Sequence, residues 1–240
     1  MPGTPLVLYN AWDVGSARAV RDAGAKAIAT GSWSVAAAQG FADGEAIPIE
    51  RVLDNVSRIA AAVDVPVTLD FESGYARGGG ELEDNIRRVI DAGAIGINFE
   101  DQWIGEDMLF PVAEQAQRIA SVRRAADRAG IPLFINARTD LFLRSDPPGH
   151  ADHVGEAIAR AKAYAAAGAS GLFVPGLRDE TLIRRVCSEA SLPVNVMFHP
   201  ELPPLKRLGE LGVARLSYGP RPYREAMAAL TAAARAAIGG

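Results

Sequence analysis

Two short runs end in carboxylates at the point where a buried strand would run out. Pro66 to Tyr75 reads PVTLDFESGY, and Gly96 to Gln102 reads GINFEDQ. Each opens as the apolar stretch that a buried parallel strand needs and closes in acids: Asp70 and Glu72 in the first, Glu100 and Asp101 in the second. Carboxylates in such places are costly to desolvate unless a cation, a proton or a donor compensates them. Asp70, Glu72 and Glu100 are therefore read as the metal-holding set, with Mg2+ as the expected ion and Mn2+ as its substitute. Mg2+ keeps several waters and is held directly by one or two protein carboxylates, leaving the rest to bind those waters. Asp70 and Glu72 are two apart, so they share one face if the strand persists through both. The alternative is that some of these acids pair with Arg138 or cap helices. His150, His153 and His199 lack ligand spacing, and the first two are placed in a loop, so zinc is not indicated.

Arg138, in INARTD, ends another such run. An always-charged, forked donor at that point suits a substrate carboxylate or phosphonate, while its alternative role is to neutralise the acidic floor. Gly31-Ser32-Trp33-Ser34 ends an earlier strand and opens a helix, which presents amides to an anion or to a developing enolate oxygen. Asn195, in PVNVM, is read as a substrate donor at a strand end, and His199 as a surface residue or an acid. Asp43, in GFADGE, is a candidate lid contact or supporting acid. Asp13 reads equally as a site residue or a helix cap, and Tyr9 as core or wall.

The elements that must carry these residues repeat. Apolar runs begin near Leu6, Ala27, Pro66, Gly96, Leu133, Gly171, Pro193 and Arg215, with helical stretches between them. Several are entered through Ala-Gly-Ala or a similar tripeptide, in which glycine closes a helix in the left-handed conformation before the next strand. Eight strand-plus-helix units in 240 residues predict a (β/α)8 TIM barrel, an α/β fold of typically about 250 residues, as a single domain over residues 1–240. An open doubly wound sheet is the rival, but no G-x-G-x-x-G follows the first strand. Long stretches after strands, at Trp33 to Glu45, Tyr75 to Gly80 and Leu143 to Val154, are placed on the C-terminal rim and read as a lid. Arg221 to Ile238 reads as an amphipathic terminal helix.

Composition is that of an ordinary globular chain, 49% hydrophobic and 22% charged. A net charge of −4 without a basic stripe argues against a nucleic-acid partner. No segment approaches the about 20 apolar residues of a membrane span, and the first residues lack a leader pattern, so no membrane partner and a cytoplasmic location are expected. Cys187 is the only cysteine and is read as a half-buried structural thiol. Arg123, Arg124 and Arg128 are read as a solvated helix face.

Taken in order, NAWDVGSARAV, GSWSVAAAQGFADG, PVTLDFESGY, GINFEDQ, INARTD, PVNVM and LGVARLSYGP resemble the isocitrate lyase / phosphoenolpyruvate mutase superfamily across nearly the whole chain. The resemblance implies a barrel whose last helix is exchanged between paired subunits, in a homodimer or homotetramer. It implies that Asp70 binds Mg2+ directly while Glu72 and Glu100 act mostly through metal-bound water. It also implies that Asp43 serves as the acid after the second strand and that Gly31, Ser32, Trp33, Arg138 and Asn195 bind a small carboxylate substrate. Ser32, Asp43 and Arg138 are thereby the catalytic candidates.

The departures bear on the reaction. Isocitrate and methylisocitrate lyases carry a KKCGH lid motif with a catalytic cysteine, whereas this chain has QWIGEDMLFP there, which speaks against those two activities. The lysine that mutases and phosphonopyruvate hydrolases place in that segment is missing too. What remains resembles the oxaloacetate decarboxylase-like and dimethylmalate lyase-like branch. The expected activity is cleavage of a C–C bond in a small 2-oxo or 2-hydroxy dicarboxylate through a pyruvate-enolate-like intermediate. C–P chemistry on phosphonopyruvate and a non-catalytic dicarboxylate-binding barrel are the alternatives.

Overall fold

The computed structural model describes residues 3–239; the ends of the domain expected over 1–240 lie outside them. Eight parallel strands alternate with helices and curl into a nearly closed (β/α)8 barrel. In chain order the strands are β1 (Leu6–Leu8), β2 (Ile28–Ala29), β3 (Val67–Asp70), β4 (Gly96–Glu100), β5 (Phe134–Arg138), β6 (Gly171–Phe173), β7 (Val194–Met197) and β8 (Val213–Ser217). β1 pairs with β8 over three residues. Between β1 and β2, among the described residues, the ring is closed by the bridge of Ala11 to Thr30 and by Asn10 rather than by a ladder. The Asn10 Nδ2 donates to Thr30 O at 2.8 Å, while its Oδ1 accepts from the amides of Tyr218 and Gly219, each at 2.9 Å.

The helices are α1 (Val14–Asp22), α2 (Ser32–Ala38), α3 (Ile49–Ala62), α4 (Gly79–Asp91), α5 (Val112–Arg128), α6 (His150–Ala166), α7 (Glu180–Glu189), α8 (Leu205–Leu211) and α9 (Arg221–Ile238). Their inner stripes follow the helical period. In α3, Val52, Leu53, Val56 and Ile59 are the buried residues, and in α4 Leu82, Ile86 and Val89 are the buried apolar ones. Asp13 caps α1 in a reciprocal box with Ser16, which settles its role as a cap. Asp179 caps α7 by accepting from Thr181 and Leu182 amides, a feature worth about 1 kcal/mol. The repeated helix-to-strand tripeptide behaves as expected: Gly24, Gly93, Gly168 and Gly212 all have φ between +91° and +98°.

Three local expectations are corrected. His150 and His153 are not in a loop: a 3-10 turn at Pro147–Gly149 leads straight into α6, and His150 is buried with Nε2 3.1 Å from Ser145 O. β3 stops at Asp70, and Glu72 takes a left-handed φ of +48°, so the two acids are not placed by strand alternation. Arg124 and Arg128 pair with Glu83 on the surface as expected, but Arg123 is largely covered and donates to Gly168 O and Leu133 O. Cys187 is free and half-buried.

α9 stands apart from the other barrel helices. Only Pro222 of it is buried, and Leu230 and Ile238 are 62% and 84% exposed. An open apolar groove of about 610 Å³ lies along β1 and α1, lined by Val7, Ala19, Val20 and Ala23 among others. No helix among the described residues is long and apolar enough to cross a membrane.

Candidate active site

The C-terminal ends of the strands surround a cavity of about 200 Å³. Gly31, Ser32, Trp33, Asp43, Asp70 and Arg138 line it, together with Asn10, Asn98, Ser217 and an apolar wall of Leu143, Phe173, Pro175, Met197 and Pro220. The barrel's own register brings these residues together. Asp70 of β3 lies beside Asn98 of β4, and Glu100 of β4 beside Arg138 of β5.

Each acid is held differently. Asp70 accepts from the Ser32 amide at 3.0 Å through Oδ2 and from Asn98 Nδ2 at 3.3 Å through Oδ1. Asn98 in turn accepts from Asn136 at 2.8 Å, so a polar thread runs down into the barrel. The Ser32 amide, expected to face substrate, is thus spent on Asp70, and the Ser32 side chain lies beside Asp43 and favours its ionised form. Glu72 is buried and accepts from the Glu45 amide. Glu100 is buried against Arg138, with Oε2 2.8 Å from Nη1. Arg138 also grips Asp140, and its guanidinium lies 5.9 Å from the centroid of the Phe173 ring. Arg138 therefore neutralises the acidic floor, and it also lines the cavity.

Crowding of carboxylates shows in their proton affinities. Burial, then repulsion from Asp43 and Asp70, pushes Glu72 up to about 8. Partial withdrawal from water and the Asp70 charge raise Asp43. Burial also raises Glu100, against the opposing pull of Arg138. Such an excess of negative charge around one guanidinium favours a bound cation. No three Asp, Glu, His or Cys side chains among the described residues converge tightly enough to grip an ion together. The donors therefore fit Mg2+ held directly by one carboxylate, with others reaching it through water, and do not fit a dry all-protein cage.

Asn195 is placed elsewhere. It lies two residues before Met197, the β7 residue that lines the cavity, and it is 1% exposed in the barrel interior. His199 sits half-buried near Glu201, and Tyr9 donates to Glu225 on the outer face. Sequence reasoning passed over Asn98, Asp140 and Glu45. Asn98 and Asp140 stand inside the motifs GINFED and INARTD, where the strand period could have flagged them.

Asp101 is walled in rather than presented to the cavity. Its Oδ2 receives Arg160 and Tyr164, each at 3.0 Å, and its Oδ1 accepts from the Asp140 amide at 3.1 Å. It ties α6 to the loop after β5.

Against known proteins, the phosphoenolpyruvate phosphomutase family model matches residues 1–238. An uncharacterized protein of Mycobacterium tuberculosis is 36% identical over 99% of this chain and 86% of its own length. The oxaloacetate decarboxylase of Pseudomonas savastanoi pv. phaseolicola is 29% identical, covering 91% of this chain and 75% of its own. Among solved structures, a Burkholderia cenocepacia J2315 protein provisionally named a phosphonomutase is 52% identical over 98% of this chain and 95% of its own, with a TM-score of 0.94. A phosphonopyruvate hydrolase solved with oxalate and Mg2+ shares the fold at 22% identity and a TM-score of 0.85, covering 99% of this chain and 84% of its own. With the barrel, the acid-lined mouth and a match along almost its whole length, the chain belongs to the phosphoenolpyruvate phosphomutase family, in the superfamily of lyases and mutases that act on small carboxylates.

Proposed function

We propose that the protein is a magnesium-dependent lyase that cleaves a C–C bond, by decarboxylation or in the retro-aldol/Claisen sense, in a small 2-oxo or 2-hydroxy dicarboxylate. The observation that carries this reading is the grouping of Asp43, Asp70 and Arg138 in a cavity lined by no cysteine, lysine or histidine, with Glu100 paired to Arg138 and Glu72 close enough to feel the Asp43 and Asp70 charges. Such a site offers no thiol or amine nucleophile and is built to organise negative charge. At about 200 Å³ it is smaller than the about 300–1,000 Å³ of pockets for drug-sized ligands, which matches a small acid.

Asp70 is the residue proposed to hold the ion, with Glu72 and Glu100 accepting from its waters. Bound there, Mg2+ would neutralise the oxo-acid and draw electron density away from the carbon beside the breaking bond. Arg138 has N–H groups beyond those taken by Asp140 and Glu100 and is assigned the substrate carboxylate. The Trp33 amide, in the first turn of α2, is assigned the oxygen on which charge develops. Asp43 is assigned the proton-handling and positioning role opposite Ser32, because it lines the cavity beside Asp70 and Arg138, and burial and the Asp70 charge raise its proton affinity above that of a free carboxyl. Asn195 is retained as an indirect contributor from beneath the cavity.

A second reading, C–P chemistry on phosphonopyruvate, is favoured by the provisional name of the 52% identical neighbour. One panel separates the two. Protein with Mg2+ is mixed with oxaloacetate, 2-methylmalate-type acids and phosphonopyruvate, and pyruvate, phosphate and phosphoenolpyruvate are followed. Pyruvate from a dicarboxylate, abolished by EDTA and by Asp70→Ala, is expected; phosphate release or phosphoenolpyruvate formation instead establishes the second reading. No turnover, with tight Mg2+-dependent oxalate binding, points to a binding protein.

We also propose that α9 is exchanged within a homodimer or homotetramer, as its exposed apolar residues and the vacant apolar groove along α1 support.

A further inference from the structure

Among the described residues only three that are not glycine have a left-handed backbone: Glu45 (φ +56°), Glu72 (φ +48°) and Tyr75 (φ +53°). All three meet in one cluster. The Glu45 amide donates to Glu72 Oε2, and the Glu45 Oε1 accepts from the Tyr75 amide at 2.8 Å and from Ser73 Oγ at 2.9 Å. Such conformations cost on the order of 1–3 kcal/mol each and persist only where the surroundings over-determine them.

The surroundings do so from behind. Arg118 of α5 is buried, lies 4.4 Å from the centroid of the Phe110 ring, and donates to Ala76 O at 3.2 Å and to Ser73 O. The loop after β3 is thereby fixed to the helical shell, and Glu45 fastens the loop after β2 onto it. That second loop carries Asp43, two residues before Glu45. Glu45 itself does not line the cavity that holds Asp70 and Arg138.

We propose that Glu45 is a positioning residue: its carboxylate pins the Asp43 loop to the end of β3, and its amide orients the Glu72 carboxylate toward the ion site. The inference rests on the acid cluster being the metal site of the proposed reaction. Glycine at position 45 keeps the left-handed backbone without strain while deleting the carboxylate, and glutamine keeps the acceptor while deleting the charge.

The test compares wild type, Glu45→Gly and Glu45→Gln by amide hydrogen exchange, by calorimetric titration with Mn2+ alone, and by turnover. In Glu45→Gly, amides of residues 41–46 and 72–75 are expected to exchange about tenfold faster or more, with Mn2+ affinity and kcat each about 10- to 100-fold lower. Glu45→Gln is expected to recover all three to within about threefold. Unchanged Mn2+ affinity in Glu45→Gly, or a Glu45→Gln protein as impaired as Glu45→Gly, overturns the role given to Glu45. Wild type that binds Mn2+ yet turns over no acid overturns the proposed reaction and leaves Glu45 supported by the exchange and titration data. Wild type that binds no Mn2+ overturns both.

Discussion

Arg138 grips Asp140 side-on, with Nε 2.6 Å from Oδ1 and Nη2 2.8 Å from Oδ2. Paired N–H groups on paired oxygens fix the plane of the guanidinium as well as its place. Asp140 is itself anchored, since its amide donates to Asp101, which Arg160 and Tyr164 hold from α6. The orientation of the cavity's arginine is thus set by a helix on the outside of the barrel.

Asp140→Asn should break the side-on pair while keeping the shape. The expected result is a rise in KM for the diacid and a fall in kcat/KM of about 10- to 100-fold, measured by steady-state kinetics. Kinetics equal to wild type would show that Glu100 alone suffices to orient Arg138.

Stability of the metal-free protein should fall with rising pH. The Glu72 proton is held up to about 8 in the fold, against an ordinary value of 4.5, so this group's stabilisation is complete below about 4.5 and lost as pH rises through 8. Asp43, Glu100 and Asp101 are raised too and act in the same sense. Mg2+ requires the ionised carboxylates, so its protection should grow over the same range. Thermal melts with and without saturating Mg2+ between about pH 5 and 8.5 check both trends; protection by Mg2+ that shrinks as pH rises would contradict them.

Leu230→Glu places a charge on an exposed apolar position of α9. If that face is covered by another copy, light scattering should report smaller particles than wild type, together with a lower melting temperature. A variant with unaltered mass and melting curve would mean that this face of α9 lies free in solution.

Burial pushes the Cys187 thiol up to about 12. Its thiolate is then scarce near neutral pH, and a disulfide reagent should label native protein about 100-fold more slowly than unfolded protein. Rapid native labelling would show that α7 opens readily.

How far the sequence could be read depended on what each position does. β4 and β5 carry their acids and arginine on strand positions, so Glu100 and Arg138 were found from the apolar runs that they terminate. Asp70 was found in the same way, but Glu72 sits past a backbone reversal that alternation cannot foresee. Asn195 was placed at the mouth because its motif was taken as a strand end, although β7 runs on to Met197. Glu45 acts through its own amide and on the Tyr75 amide, and such contacts leave no mark in residue type. Asn10 escaped for the same reason, since its partners are main-chain groups of Thr30, Tyr218 and Gly219.

That asparagine and the Ala11–Thr30 bridge beside it make the ring of staves a bracelet with one narrow clasp, because among the described residues its first and second strands share no ladder. The residues on either side of the clasp, Gly31 and Gly219, are also walls of the cavity. Warming should therefore spring the bracelet at its catalytic edge while the far staves are still zipped together, so that turnover dies away before the bulk of the helical signal does.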